Sequence, residues 1–265
     1  MRSFDASTRA DLPVPFSAVA AVVAALRPQV ESLVVVGAVA RDLLACAAGG
    51  LPIPRVTKDV DIAIAVKTMT DYEGLTGLIK GRTPPRHHIE GLSVDVIPFG
   101  GVEAHGLVLF DNDFELDVTG FAEAARTAVD VTLPGGAVVP VASLPAQAAL
   151  KLLAWRDRGN YHQSKDALDL RTLLKARGEG IYQADLYETE AFVRYDYALD
   201  KTAAYQLGVE GAVLLGGAGR AAVATELTSE PALERLADAA YSPVVDFSSM
   251  LHCYRDGFLD SCARG

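Results

Sequence analysis

Asp59 and Asp61 stand two apart at the head of an apolar run, Val60, Ile62, Ile64 and Val66. On a strand, residues two apart project to the same side, so the two carboxylates face one place and the four aliphatic side chains face the other. Carboxylates held side by side repel each other, and a divalent cation between them relieves the repulsion. A further acid, Asp95, lies between two valines in LSVDVIPF, residues 92–99. A carboxylate in an otherwise apolar strand needs a partner, which makes Asp95 the natural third member of a metal site with Asp59 and Asp61. An edge-strand Asp facing water is the alternative.

Upstream, Val34, Val35 and Val36 form a β-branched run closed by Gly37, and a helical pattern follows with Val39, Leu43, Cys46 and Ala47 inward. Strand, tight turn and helix start give a place where free backbone N–H groups can meet phosphate. Three carboxylates opposite such a turn suit metal-assisted nucleotidyl transfer. Gly37 and Ala38 would hold the phosphates of a nucleoside triphosphate (NTP). Two Mg²⁺ ions, roughly 3.5–4 Å apart in such sites, would clamp the attacking and leaving oxygens. Asp59 and Asp61 would carry the nucleotide-side ion, and Asp95 would help bind the second and activate an acceptor hydroxyl.

The loop GGLPIPR, long enough to reach over a site, runs into Arg55-Val56-Thr57-Lys58 and delivers two cations beside the Asp pair. Charge balance and contact with nucleotide phosphates are both open for them.

The elements that must position these groups follow from periodicity. Residues 14–27 predict an opening amphipathic helix that backs the sheet. Thr70-Asp71-Tyr72-Glu73 has capping-box spacing for a helix through Lys80. His87 and His88 fall in a turn-rich loop; adjacent residues on extended chain face opposite ways, so a solvated pair is expected, not a shared metal. Short strands and turns, with one helix near Phe121–Ala128, fill residues 100–141. There Asp111, Asp113, Glu115 and Asp117 alternate without the glycine and final glutamate of a calcium loop, and read as solvated. After Pro140 the pattern turns helical. One helix starts at Ser143-Leu144-Pro145 and stops at Gly159, carrying Lys151, Trp155 and Arg158 on one stripe. A second runs from Ser164 to Gly178, and the remainder is helical, with the glycine-rich LLGGAGRAA, residues 214–222, as an interhelical loop. The expected boundary lies near residue 142: an α/β domain over 1–141 and a helical domain over 142–265.

Half of the 265 residues are apolar, ample for a buried core. With 24 basic and 34 acidic residues the net charge is −10, which argues against broad adhesion to nucleic acid or anionic membrane, so an RNA partner must be held by a local patch. No run of about 18 apolar residues is present and the first residues lack the apolar core of a secretory signal. Cys46, Cys253 and Cys262 are odd in number and form no close pair. A reduced, cytoplasmic protein with no membrane partner is expected.

Gly37-x, a helix, Arg55-x-Thr57-Lys58-Asp59-Val60-Asp61 and a lone Asp95 on a later strand together resemble the DNA polymerase β-like nucleotidyltransferase superfamily. More narrowly, KLLAWRDRGNYHQSKDALDLRTLL, from Lys151 to Leu174, resembles the AbiEii-type nucleotidyltransferase toxins. The resemblance spans residues 33–174. It implies an N-terminal α/β nucleotidyltransferase domain, a mixed sheet with flanking helices, followed by a C-terminal helical domain. It further implies catalytic Asp59, Asp61, Asp95, Lys151 and Asp166, with Lys151 on phosphate and Asp166 orienting it or the acceptor. Gly37, Ala38, Arg41, Arg55, Thr57 and Lys58 would bind the nucleotide. Ala38 stands where the family usually has Gly or Ser, and the gap from Gly37 to Asp59 is longer than usual.

The function so implied is Mg²⁺-dependent transfer of an NMP from NTP to an acceptor hydroxyl, on tRNA or another RNA, by the toxin of a toxin–antitoxin pair with a cognate antitoxin partner. Transfer to a small molecule such as an antibiotic is an alternative that the acidic charge favours slightly. A catalytically inactive nucleotide- or protein-binding module is another, disfavoured because a pure binder has no need of three converging like charges.

Overall fold

The computed structural model describes residues 3–57, 59–89, 91–158 and 164–264, and the chain divides into two compact units. The first comprises Met1–Ala47 and Pro52–Ser143; the second comprises Ala48–Leu51 and Leu144–Gly265.

In chain order the first unit runs β1 (Ser3–Asp5), α1 (Phe16–Leu26), β2 (Ser32–Val36), α2 (Gly37–Arg41), a π-helical stretch (Asp42–Ala48), β3 (Val60–Val66), α3 (Met69–Glu73), β4 (Ile79–Lys80), β5 (Arg86–Ile89), β6 (Leu92–Gly100), β7 (Leu107–Leu109), β8 (Glu115–Asp117), α4 (Phe121–Arg126), β9 (Val129–Thr132) and β10 (Val138–Val141). Eight strands form one mixed sheet in the order β1-β9-β10-β2-β3-β6-β5-β4, while β7 and β8 form a separate hairpin. At its centre β2 runs antiparallel to β3, and β3 runs parallel to β6.

The alternation along β3 decides what the sheet can carry. Val60, Ile62, Ile64 and Val66 are buried, as are Val94 and Val96 on β6. Each fully buried aliphatic side chain contributes about 1.5–3 kcal/mol, so a one-residue slip that moved this set to the other face is strongly disfavoured. The same alternation puts Asp61 and Asp95 on the opposite side, where both are half-buried.

Three local expectations are corrected. The helix expected through Lys80 stops at Glu73: Thr68 is its cap, in a reciprocal box with Asp71, and Gly74 follows at its end. Gly74 and Gly77 break the helical run, and Ile79–Lys80 pairs with His87 and His88 as a strand. His87 and His88 are therefore on β5, not in a solvated loop. They do face opposite ways, and only His88 is exposed, while His87 is buried edge-on against the Tyr72 ring. The glycine-rich LLGGAGRAA is mostly helix, with only Leu215 and Gly216 between the two helices it joins.

The second unit is helical: α5 (Leu144–Arg158), α6 (Ser164–Arg177), α7 (Glu190–Arg194), α8 (Leu199–Leu214), α9 (Gly217–Thr228), α10 (Glu230–Ala239) and α11 (Phe247–Arg264), with short 3₁₀ turns between α6 and α7. Helices α8 and α11 meet backbone to backbone because Gly208 lies against Tyr254 and Gly257 against Tyr205, with no room for a β-carbon at either glycine. Cys46 and Cys253 are buried thiols and Cys262 is a half-buried one. Among the described residues, no helix is long and apolar enough to cross a membrane.

Candidate active site

The site in the first unit begins where β2 ends. Val36 is the register partner of Asp61, so the residue after it must turn directly beside that carboxylate. Gly37 does so with φ of +66°, a left-handed conformation that side chains rarely adopt. A β-carbon there would lie 2.8 Å from Asp61 Cγ and closer still to Oδ2. The two constraints together favour glycine strongly. The first turn of α2 then starts at once, which brings the phosphate-type turn and the carboxylate together as one packed unit.

Across β3 and β6, Asp61 and Asp95 are direct register partners, and parallel pairing puts their side chains on one face. Asp59 precedes β3 by one residue and is exposed. Its carbonyl accepts a hydrogen bond of 3.2 Å from the Thr57 hydroxyl, which ties the end of the loop to the strand start. Asp61 and Asp95 thus share one face beside the end of β2, with Asp59 two residues before Asp61 in the chain.

A residue not singled out from the sequence joins them. Arg86, opposite Asp95 on β5, donates through Nε to Asp95 Oδ1 and through Nη2 to Oδ2 at 3.0 Å, while Nη1 donates to Ser93 Oγ at 3.0 Å. These bonds to Asp95 hold the guanidinium firmly charged, and the fields of Asp95, Asp59 and Asp61 add to the effect. From sequence, Arg86 is one more cation in a turn-rich loop; only the antiparallel pairing of β5 with β6 sets it against Asp95. Behind β6, the Tyr72 hydroxyl donates to the Val96 carbonyl at 2.9 Å and pins α3 to the strand.

The remaining nucleotide-binding candidates are placed as follows. Ala38 is buried in the first turn of α2. Arg41 has no accessible surface: its Nε donates to Asp42 Oδ1 at 2.9 Å, and its Nη2 donates to Asp42 Oδ1 at 2.5 Å and to the Arg55 carbonyl at 3.5 Å. It braces the loop from beneath. Arg55 and Thr57 are half-buried on that loop, and Lys58 lies outside the described residues.

In the helical unit, Lys151 on α5 lies between two carboxylates of α6. Its Nζ donates to Asp166 Oδ1 at 3.0 Å and to Asp169 Oδ2 at 2.8 Å. The lysine side chain is only 16% exposed and the two aspartates 3% and 1%. Burial alone would push the ammonium pKa down, but Asp169 and Asp166 outweigh it and hold the pKa above the ordinary lysine value. Asp169 was missed as a site residue, although its spacing carries the signal: three residues after Asp166, it shares that helical face.

A magnesium ion fits the carboxylate edge. Asp59 and Asp61 offer hard oxygen ligands at a strand start, and Gly37 shows that Asp61 is held in place. Among the described residues, no group of three or more His, Cys, Asp or Glu side chains forms a metal site.

Compared with known families, the chain matches the model described as nucleotidyl transferase AbiEii toxin, Type IV TA system, over residues 21–242. No curated protein matches it.

Proposed function

Because the chain belongs to the AbiEii nucleotidyl transferase toxin family of type IV toxin–antitoxin systems, we propose that it moves an NMP from an NTP to an RNA hydroxyl, with tRNA the leading acceptor. The observation that carries this reading is the seating of Gly37 on the Asp61 carboxylate, which couples a phosphate-type turn to a metal-type acid. Asp59 and Asp61 hold Mg²⁺, and the bound ion supplies charge neutralisation at the reacting phosphate. The backbone at Gly37 and Ala38 receives the triphosphate, aided by Arg55, Thr57 and Lys58 on the loop. Asp95 faces the same edge and serves the acceptor hydroxyl. Lys151 is assigned to phosphate, with Asp166 and Asp169 fixing its ammonium. The family implies a cognate antitoxin, and the cytoplasm is the expected compartment.

The test is incubation with each labelled NTP in turn and total cellular RNA, with Mg²⁺ or with chelator, at two salt concentrations. Label is expected in RNA, only with the metal and not with Asp61→Asn. RNA binding is expected to weaken with salt, with a log–log slope of roughly −0.7 per phosphate contacted. Label on a small hydroxyl compound and on no RNA species would replace the acceptor assignment. No transfer to any acceptor would leave a binding module.

A further inference from the structure

We propose that Arg86 is the standing cation of Asp95, so that the carboxylate edge accepts one divalent ion, at Asp59 and Asp61, in place of the two that three carboxylates suggest. This rests on the metal-dependent transfer proposed above and specifies how its site is charged.

Three observations carry it. Arg86, Asp95 and Asp61 are successive register partners on β5, β6 and β3, so they form one row across the sheet, and backbone pairing plants Arg86 there. Both carboxylate oxygens of Asp95 are engaged, Oδ1 by Nε and Oδ2 by Nη2, in the planar fork that guanidinium and carboxylate form best. The third arm, Nη1, is tied to Ser93 two residues before Asp95 on the same strand, so the guanidinium is held along the strand as well as across it. A second divalent ion at Asp95 would have to share this carboxylate with the guanidinium and settle beside a charge of its own sign. Arg86 is then a positioning residue: it fixes Asp95 as a rigid hydrogen-bond acceptor for the incoming hydroxyl and keeps a second ion out.

The experiment counts ions. The full chain is dialysed to equilibrium against Mn²⁺ with the four α,β-methylene NTP analogues at saturation, and the bound Mn²⁺ is counted per bound nucleotide and examined by electron paramagnetic resonance. Wild type is expected to hold one ion with the spectrum of an isolated centre. Arg86→Lys, which keeps the charge, is expected to hold one ion as well. Arg86→Gln, which frees Asp95, is expected to hold two ions with the broadened signal of a coupled pair. Two coupled ions in the wild type overturn the inference and leave the metal reading intact; this count stands whether or not Arg86→Gln folds. One ion in a folded Arg86→Gln overturns it too, since Arg86 would not be what excludes the second. No Mn²⁺ in the wild type, or binding indifferent to Asp61→Asn, overturns the metal reading itself and this inference with it.

Discussion

Gly37 rests its α-carbon against the Asp61 carboxylate, at a φ of +66° and with no space for a β-carbon. The turn that would receive phosphate and the acid that would receive metal are therefore in direct contact, so bulk added at the turn must displace the acid.

Gly37→Ala tests that coupling. The added methyl meets a left-handed backbone and an occupied position together, so a loss of about 1–3 kcal/mol is expected from the backbone alone. Because the carboxylate must also shift, transfer activity is expected to fall by about 10²-fold or more, as misplacements near 1 Å do. A thermal melt and a single-turnover assay check the two parts. Full activity in Gly37→Ala would show that the apposition is not needed for the chemistry.

Asp61→Asn separates charge from packing. The amide keeps the shape that seats Gly37 and removes one of the like charges at the edge, so a cooperative melt near the wild-type midpoint is expected. Transfer is expected to drop by about 10²–10³-fold. Radiolabel transfer and a melting curve on the same preparation decide it, and wild-type turnover would remove Asp61 from the metal site.

Lys151→Met is expected to cost stability as well as activity. It removes the ammonium that pairs with Asp166 and Asp169, 3% and 1% exposed, and breaking a buried ion pair by deleting one partner costs about 3–5 kcal/mol. Adding Asp169→Asn lowers the like-charge repulsion between the two acids and is expected to recover part of the loss. The pH dependence follows from the raised pKa of Lys151. A base whose folded pKa lies above its unfolded one contributes fully below the unfolded value, 10.5, and loses that contribution as pH rises through the folded value. Urea midpoints are thus expected to hold through neutral pH and fall only in strong alkali. A Lys151→Met protein as stable as wild type would show that the fold does not depend on this ion pair.

His87 governs part of the acid limb. Burial pushes its pKa below the ordinary value of 6.5, against the smaller upward pull of its contact with the Pro85 carbonyl. The unfolded chain therefore takes up the proton first, and stability falls as pH drops from 6.5 towards the lower folded value. His87→Phe keeps a ring beside Tyr72 and removes the proton site, so its urea midpoint is expected to change less across that window than the wild type's. Parallel slopes would assign the acid limb to other groups.

What the sequence determined by itself is what short-range periodicity encodes. The alternation around Asp59 and Asp61, the valine run closed by Gly37 and the paired helices carrying Lys151 and Asp166 each depend on neighbours a few residues away, and each appears at its expected place. Tertiary structure decided the partners. That Arg86 lies across from Asp95 follows from the register of β5 on β6, and no local signal distinguishes that arginine from its neighbours. That Lys151 is enclosed, not solvated, follows from the packing of α5 against α6, which lets two carboxylates one helical turn apart converge on one ammonium. Arg41 shows the same limit, because its place under the loop depends on how α2 and the π-helical stretch after it are covered. Sequence patterns report which way a side chain points; charge pairing across the fold depends on what the rest of the chain brings opposite it, and only the assembled sheet and helices specify that.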